Sequence, residues 1–189
     1  RHRNPGLGVP LIAERTAQSS DDLMAKNAKV AATAFLRLDL SQEKALSGDL
    51  EPTRELYAPF TTLETPVEGQ EVPLEADLTA PLAYSLDDGR LFNFELGAFF
   101  SADYAQHQQG IFMVQPYFPG KIPVVFVHGT ASSPARWAQM FNALQSDREL
   151  RESYQYYFFI YSTGSPVTYS AYLLREALRK IVETLDPDG

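Results

Sequence analysis

The stretch Lys121-Ile-Pro-Val-Val-Phe-Val-His128-Gly129-Thr130-Ala-Ser-Ser-Pro134-Ala-Arg-Trp137 decides the fold. Val124 to Val127 is an unbroken apolar run, the pattern of a strand buried between two helical layers. Pro123 stands at its start, where a missing ladder donor is tolerated. The run stops at His128-Gly129-Thr130. Ser133-Pro134 then supplies an N-cap followed by proline at the first helical position. Beyond it, Trp137, Met140, Phe141 and Leu144 recur at helical spacing and predict one apolar stripe. A strand leading through a short loop into a helix opens a parallel βαβ unit, and open α/β sheets place their chemistry at the carboxyl ends of such strands.

Downstream the pattern repeats. Tyr156 to Tyr161 predicts a second strand apolar on both faces, and Thr163-Gly164-Ser165-Pro166 the turn after it. Leu174, Ala177, Leu178, Ile181, Val182 and Leu185 then mark one face of a long helix, ended by Asp186-Pro187-Asp188-Gly189. Upstream the chain changes character near residue 116. Ala31 to Leu38, Thr53 to Tyr57, Val72 to Leu74, Leu82 to Leu86 and Ile111 to Gln115 read as strands, with Asp87-Asp88-Gly89 and Pro119-Gly120 as turns. Leu91 to Phe100 is ambiguous between strand and short helix, and its Phe92, Phe94, Phe99 and Phe100 read as core. The expected architecture is α/β. A β-rich region over residues 1–115 packs on or extends a sheet, and a β-α-β-α portion of that sheet occupies 116–189.

Hydrophobic residues make up 44% and aromatics 12%, enough to fill a core, so disorder is excluded. A net charge of −8 with no basic stripe argues against a nucleic-acid partner. The absence of cysteine removes disulfides, thiolate metal sites and Cys nucleophiles. No apolar run approaches the roughly 20 residues of a membrane-spanning helix. The first residue is Arg1, which leaves open a leader or lipid anchor upstream.

Of the three histidines, His2 and His107 lie in polar surroundings, while His128 stands at a strand end beside Gly129. A histidine there is expected to be structural, its ring bonding nearby backbone and shaping the loop with Gly129. No pair of histidines lies at metal-ligand spacing, and the two Asp-Gly motifs lack the remaining ligands of a Ca²⁺ loop, so neither a metal nor a cofactor is expected. Gly-X-Ser-X-Gly, the strand-to-helix turn that presents a nucleophilic serine, is absent. That turn needs small residues two positions either side of the serine and an N–H directly after it. Ser165 is flanked by Thr163 and Val167 and followed by Pro166; Ser133 is also followed by proline; Ser132 has Thr130 and Pro134 at the crowded positions. None of the three qualifies.

Three segments together carry a likeness: Pro123 to Trp137, Tyr154 to Pro166, and Tyr169-Ser-Ala-Tyr-Leu-Leu-Arg175. They resemble bacterial α/β-hydrolases of the esterase/lipase type, specifically from about Gln115 to Gly189 and more loosely before it. The resemblance implies two-step acyl transfer on an ester or lipid-like substrate, in the bacterial envelope or outside the cell. It assigns to Thr130 a backbone N–H of the oxyanion hole. The nucleophile, acid and histidine of the triad are expected beyond Gly189, in a C-terminal part of the same protein that pairs with this one, and the 189 residues alone are expected to be inactive. An acyltransferase or thioesterase on the same scaffold, or a non-catalytic binding or structural module, are the alternatives.

Overall fold

The computed structural model describes residues 2–14, 23–25, 28–38, 52–88, 109–130, 132 and 134–185. It mixes helices and strands arranged in small sheets, and its contacts group into two units: residues 1–13 with 30–81, and residues 14–29 with 82–189. In the first unit, strands β1 (Arg3–Asn4), β2 (Val9–Glu14), β3 (Lys29–Arg37), β4 (Thr53–Tyr57), β5 (Glu64–Val67), β6 (Gln70–Pro73) and β7 (Ala76–Asp77) pair as three small sheets, β1-β7, β2-β3-β4 and β5-β6. The strands expected at Ala31–Leu38 and Thr53–Tyr57 are β3 and β4, antiparallel with Thr33 opposite Tyr57. Glu68 and Gly69 join β5 to β6 with φ of 51° and 81°, a two-residue turn whose twist matches the strands. Arg37 anchors this unit: its guanidinium donates to Glu55 at 2.9 and 3.2 Å, to the Thr65 hydroxyl at 3.1 Å and to the Pro66 carbonyl at 2.9 Å.

Leu82 to Leu86, expected as a strand, is instead part of helix α1 (Thr79–Asp88). The cause is a cap outside the five-residue window. Asp77 Oδ1 accepts from the Thr79 and Ala80 N–H groups at 3.1 and 2.9 Å and starts the helix, after which Leu82, Ser85 and Leu86 turn inward at helical spacing while Ala83, Tyr84 and Asp87 stay exposed. Asp87 and Asp88 are the last two residues of the helix, and Gly89 lies outside the described residues. The aromatic segment 91–100 and His107 lie outside the described residues.

The second unit contains strands β8 (Gly110–Phe112), β9 (Ile122–Val127) and β10 (Tyr154–Ile160) in the order β8-β10-β9. The parallel pair is present: β9 and β10 run together from Ile122 opposite Tyr154 to Val127 opposite Phe159. β8 lies antiparallel on the other side of β10 with Phe112 opposite Phe158. Flanked on both sides, β10 is buried from Gln155 to Ile160. β9 has a strand on one side only among the described residues, so Val127 is 40% exposed instead of buried as the apolar run predicts.

Between β9 and β10 come a 3₁₀ turn (Pro134–Trp137), helix α2 (Ala138–Ser146) and helix α3 (Arg148–Ser153); helix α4 (Val167–Leu185) follows β10. Ser133 lies outside the described residues, and Trp137 takes the N-cap position of α2 without a side-chain cap. The buried face of this segment is Pro134, Ala138, Phe141 and Gln145, and Met140, expected on the stripe, is 50% exposed. A 3₁₀ turn holds three residues per turn rather than 3.6, which rotates the face that the spacing from Trp137 predicts. Asp147 caps α3 by accepting from Leu150 N at 3.1 Å. Phe126, Tyr156 and Phe158 meet Ala138, Phe141, Val114 and Leu82 in one core. There Phe141 stands edge-on to Phe158 and Tyr156 at 5.3 and 5.5 Å.

Candidate functional site

Because β9 and β10 are parallel and in register, both end at the same edge of the sheet. There the chain leaves β9 into His128-Gly129-Thr130 and leaves β10 into Tyr161-Ser162. His128 is buried, while Gly129 and Thr130 are exposed. The imidazole stacks on the Tyr161 ring, with centroids 4.4 Å apart and planes 15° from parallel, and Phe159 backs Tyr161 at 5.4 Å. The Tyr161 hydroxyl donates to the His128 carbonyl at 2.7 Å.

His128 Nδ1 lies 3.1 Å from the carbonyl oxygen of Gly129. A carbonyl only accepts, so Nδ1 carries the hydrogen in this bond. Nε2 is buried with no hydrogen-bond partner among the described residues. Burial pushes the imidazole below its ordinary value of 6.5, and the bond to Gly129 opposes that shift only in part. The ring is therefore neutral at physiological pH, and its one hydrogen bond among the described residues is to the backbone of Gly129. Around the exposed part of the turn there is room: a Cβ added at Gly129 meets nothing within 4 Å. No described residue accepts a hydrogen bond from the Gly129 or Thr130 N–H.

The structure brings together Thr130, His128 and Gly129, which sit on one turn in any case, and adds Tyr161 from the neighbouring strand. Sequence reasoning missed Tyr161 as a site residue. The available signal was an aromatic hydroxyl one position beyond a buried strand that runs parallel to the histidine's strand. No carboxylate among the described residues hydrogen-bonds His128. Ser165 is engaged in a turn, its N–H donating to Ser162 O at 3.1 Å, and Pro166 opens α4 by accepting from Tyr169 N and Ser170 N at 3.0 and 3.1 Å. His2, exposed, donates its backbone N–H to Thr79 Oγ1 at 2.8 Å. Among the described residues no group of three or more His, Asp or Glu side chains is placed to hold a metal ion, and no helix is long and apolar enough to cross a membrane. No protein-family model, curated protein or solved structure matches the chain.

Proposed function

We propose that this chain supplies the oxyanion-binding loop of a serine hydrolase acting on carboxylic esters, with the nucleophile carried by a strand that follows α4 and pairs with the open edge of β9. The observation that carries this reading is the turn at the end of β9: a buried, neutral His128 beside exposed Gly129 and Thr130, whose N–H groups have no acceptor among the described residues. Backbone donors placed in this way stabilise the negative oxygen that develops when an ester carbonyl is attacked. The order of the strands supports the same reading. The chain passes from β9 to β10 on one side, so a following strand on the other side of β9 makes the end of β9 a point where strand order reverses, the position of ligand crevices in open α/β sheets. α4 returns the chain to the correct end for such a strand, since the Leu185 carbonyl lies 3.5 Å from the hydroxyl of Tyr117, shortly before β9 begins.

The chemistry assigned to this assembly is acyl transfer in two steps. A serine oxygen attacks the ester carbonyl and passes its proton to a histidine; the tetrahedral oxyanion is held by the Thr130 N–H and the N–H after the serine; the alcohol leaves; and water then releases the acid. The natural polypeptide containing these 189 residues is to be treated with a fluorophosphonate probe and peptide-mapped. Labelling of a serine outside residues 1–189, with hydrolysis of a nitrophenyl ester, is the expected result. A polypeptide that neither labels nor hydrolyses the ester is a non-catalytic module and overturns the reading.

A further inference from the structure

Each of the two peptide groups in the turn after β9 is held through its carbonyl by a side chain. The first, between His128 and Gly129, is held by Tyr161, whose hydroxyl donates to the His128 oxygen at 2.7 Å. The second, between Gly129 and Thr130, is held by the His128 ring, whose Nδ1 is 3.1 Å from the Gly129 oxygen. A trans peptide is planar, with C=O and N–H pointing in opposite directions, and the described residues contain no cis bond. Fixing each carbonyl therefore fixes the direction of the Gly129 and Thr130 N–H groups. The second carbonyl is drawn toward an imidazole 4% exposed, which leaves the Thr130 N–H pointing away from the buried side.

The ring that sets this direction is itself held. Phe159, Tyr161 and His128 form a stack in which both ring pairs lie 15° from parallel. Phe159 belongs to β10, the strand buried on both faces, and Tyr161 follows the last residue of that strand. A base so short and so well packed gives the stack little freedom.

We propose that Tyr161 is a positioning residue that sets the direction of the Gly129 and Thr130 N–H groups, through its hydroxyl on the His128 carbonyl and its ring on the imidazole. The meaning of that direction for an oxyanion rests on the hydrolase reading; the positioning does not.

Tyr161→Phe keeps the stack and removes only the hydroxyl. In the 189-residue chain, ¹⁵N relaxation is expected to show Gly129 and Thr130 order parameters falling from about 0.85 toward 0.6, with those of β10 unchanged. Tyr161→Leu removes the stack as well. It is expected to loosen the two amides further and to disturb the Nδ1–H tautomer of His128 in imidazole ¹⁵N spectra. In the polypeptide that carries the nucleophile, Tyr161→Phe is expected to lower kcat for a nitrophenyl ester about tenfold at unchanged KM, the equivalent of one hydrogen bond. Unchanged order parameters in Tyr161→Phe overturn the proposal whatever the activity, whereas loosened amides with undiminished kcat support the positioning and overturn the assignment of these N–H groups to the oxyanion. Loosened amides in a polypeptide that never hydrolyses esters support the positioning and overturn the hydrolase reading instead.

Discussion

The Arg151 guanidinium reaches back across the bend between α2 and α3 to donate to the Gln145 carbonyl at 2.7 Å, tying α3 to the end of α2. Arg151 is 4% exposed and Gln145 is 3% exposed, so the bond is made away from water. A second carbonyl, that of Ser146, lies 3.5 Å away, and both belong to the last turn of α2. Removing the guanidinium takes a charged, buried donor away from the Gln145 carbonyl. Arg151→Ala is therefore expected to lower stability by about 2–3 kcal/mol. Arg151→Lys is expected to recover less than half of it, because an ammonium is a point donor without the planar fork. Urea denaturation of the chain measures both, and a loss in Arg151→Ala under about 0.5 kcal/mol would show the bond to be incidental.

Phe158 is the centre of the core. It is 0% exposed, and its ring lies 5.2 Å from Phe126, 5.3 Å from Phe141 and 5.5 Å from Phe112. Those neighbours come from both flanking strands and from α2, so they cannot all move in to fill a void. Phe158→Ala is expected to cost about 3–5 kcal/mol. Met140→Ala, on the exposed side of α2, is expected to stay within about 0.5 kcal/mol. Equal losses in the two variants would contradict the core drawn here.

The parallel pair was legible because the runs 124–127 and 156–161 are apolar on both faces and are separated by a helix-length segment. α4 was legible because apolar residues recur at helical spacing from Leu174 to Leu185. What escaped depended on contacts across the chain or on local geometry. Leu82 to Leu86 alternates well enough for a strand, and only the Asp77 cap reveals the helix. The face of α2 was misplaced because Trp137 belongs to a 3₁₀ turn. For the candidate site, the His128-Gly129-Thr130 turn could be found from the strand's abrupt end. Tyr161 could not, since its role needs the register between β9 and β10, which composition and spacing do not carry.

Asp77 offers a test of the helix that sequence periodicity mistook for a strand. Its carboxylate accepts from two N–H groups of the first turn of α1. Asp77→Ala is expected to destabilise the chain by about 1 kcal/mol, and Asp77→Asn, which keeps an acceptor oxygen, by clearly less. Thermal denaturation followed by circular dichroism would reveal the ranking, and the reverse order is incompatible with capping.

The buried imidazole predicts a pH dependence of stability. Burial holds His128 below 6.5 in the folded chain, whereas in the unfolded chain it titrates near its ordinary value. Between those two values the unfolded state binds more protons, so stability rises with pH there. The contribution is complete above about pH 6.5 and is lost as pH falls from 6.5 through the folded value. The urea midpoint of the chain is expected to drop between about pH 7.5 and pH 5.5, and His128→Gln is expected to flatten that drop. An identical decline in the variant would assign the dependence to other groups.

The role given to Thr130 resides in its backbone, so the side chain and the N–H must separate in experiment. Thr130→Ala removes the hydroxyl and keeps the donor. Thr130→Pro removes the donor from an exposed turn, where proline disturbs no helix or sheet ladder. In the polypeptide that carries the nucleophile, Thr130→Ala is expected to keep kcat within about twofold, and Thr130→Pro to lower it by roughly 10²–10³, the loss of one oxyanion donor. Matching melting temperatures for the two variants would exclude unfolding as the cause. Equal rates of ester hydrolysis would remove Thr130 from the oxyanion hole, and a large loss in Thr130→Ala would move the chemistry from the peptide N–H to the hydroxyl.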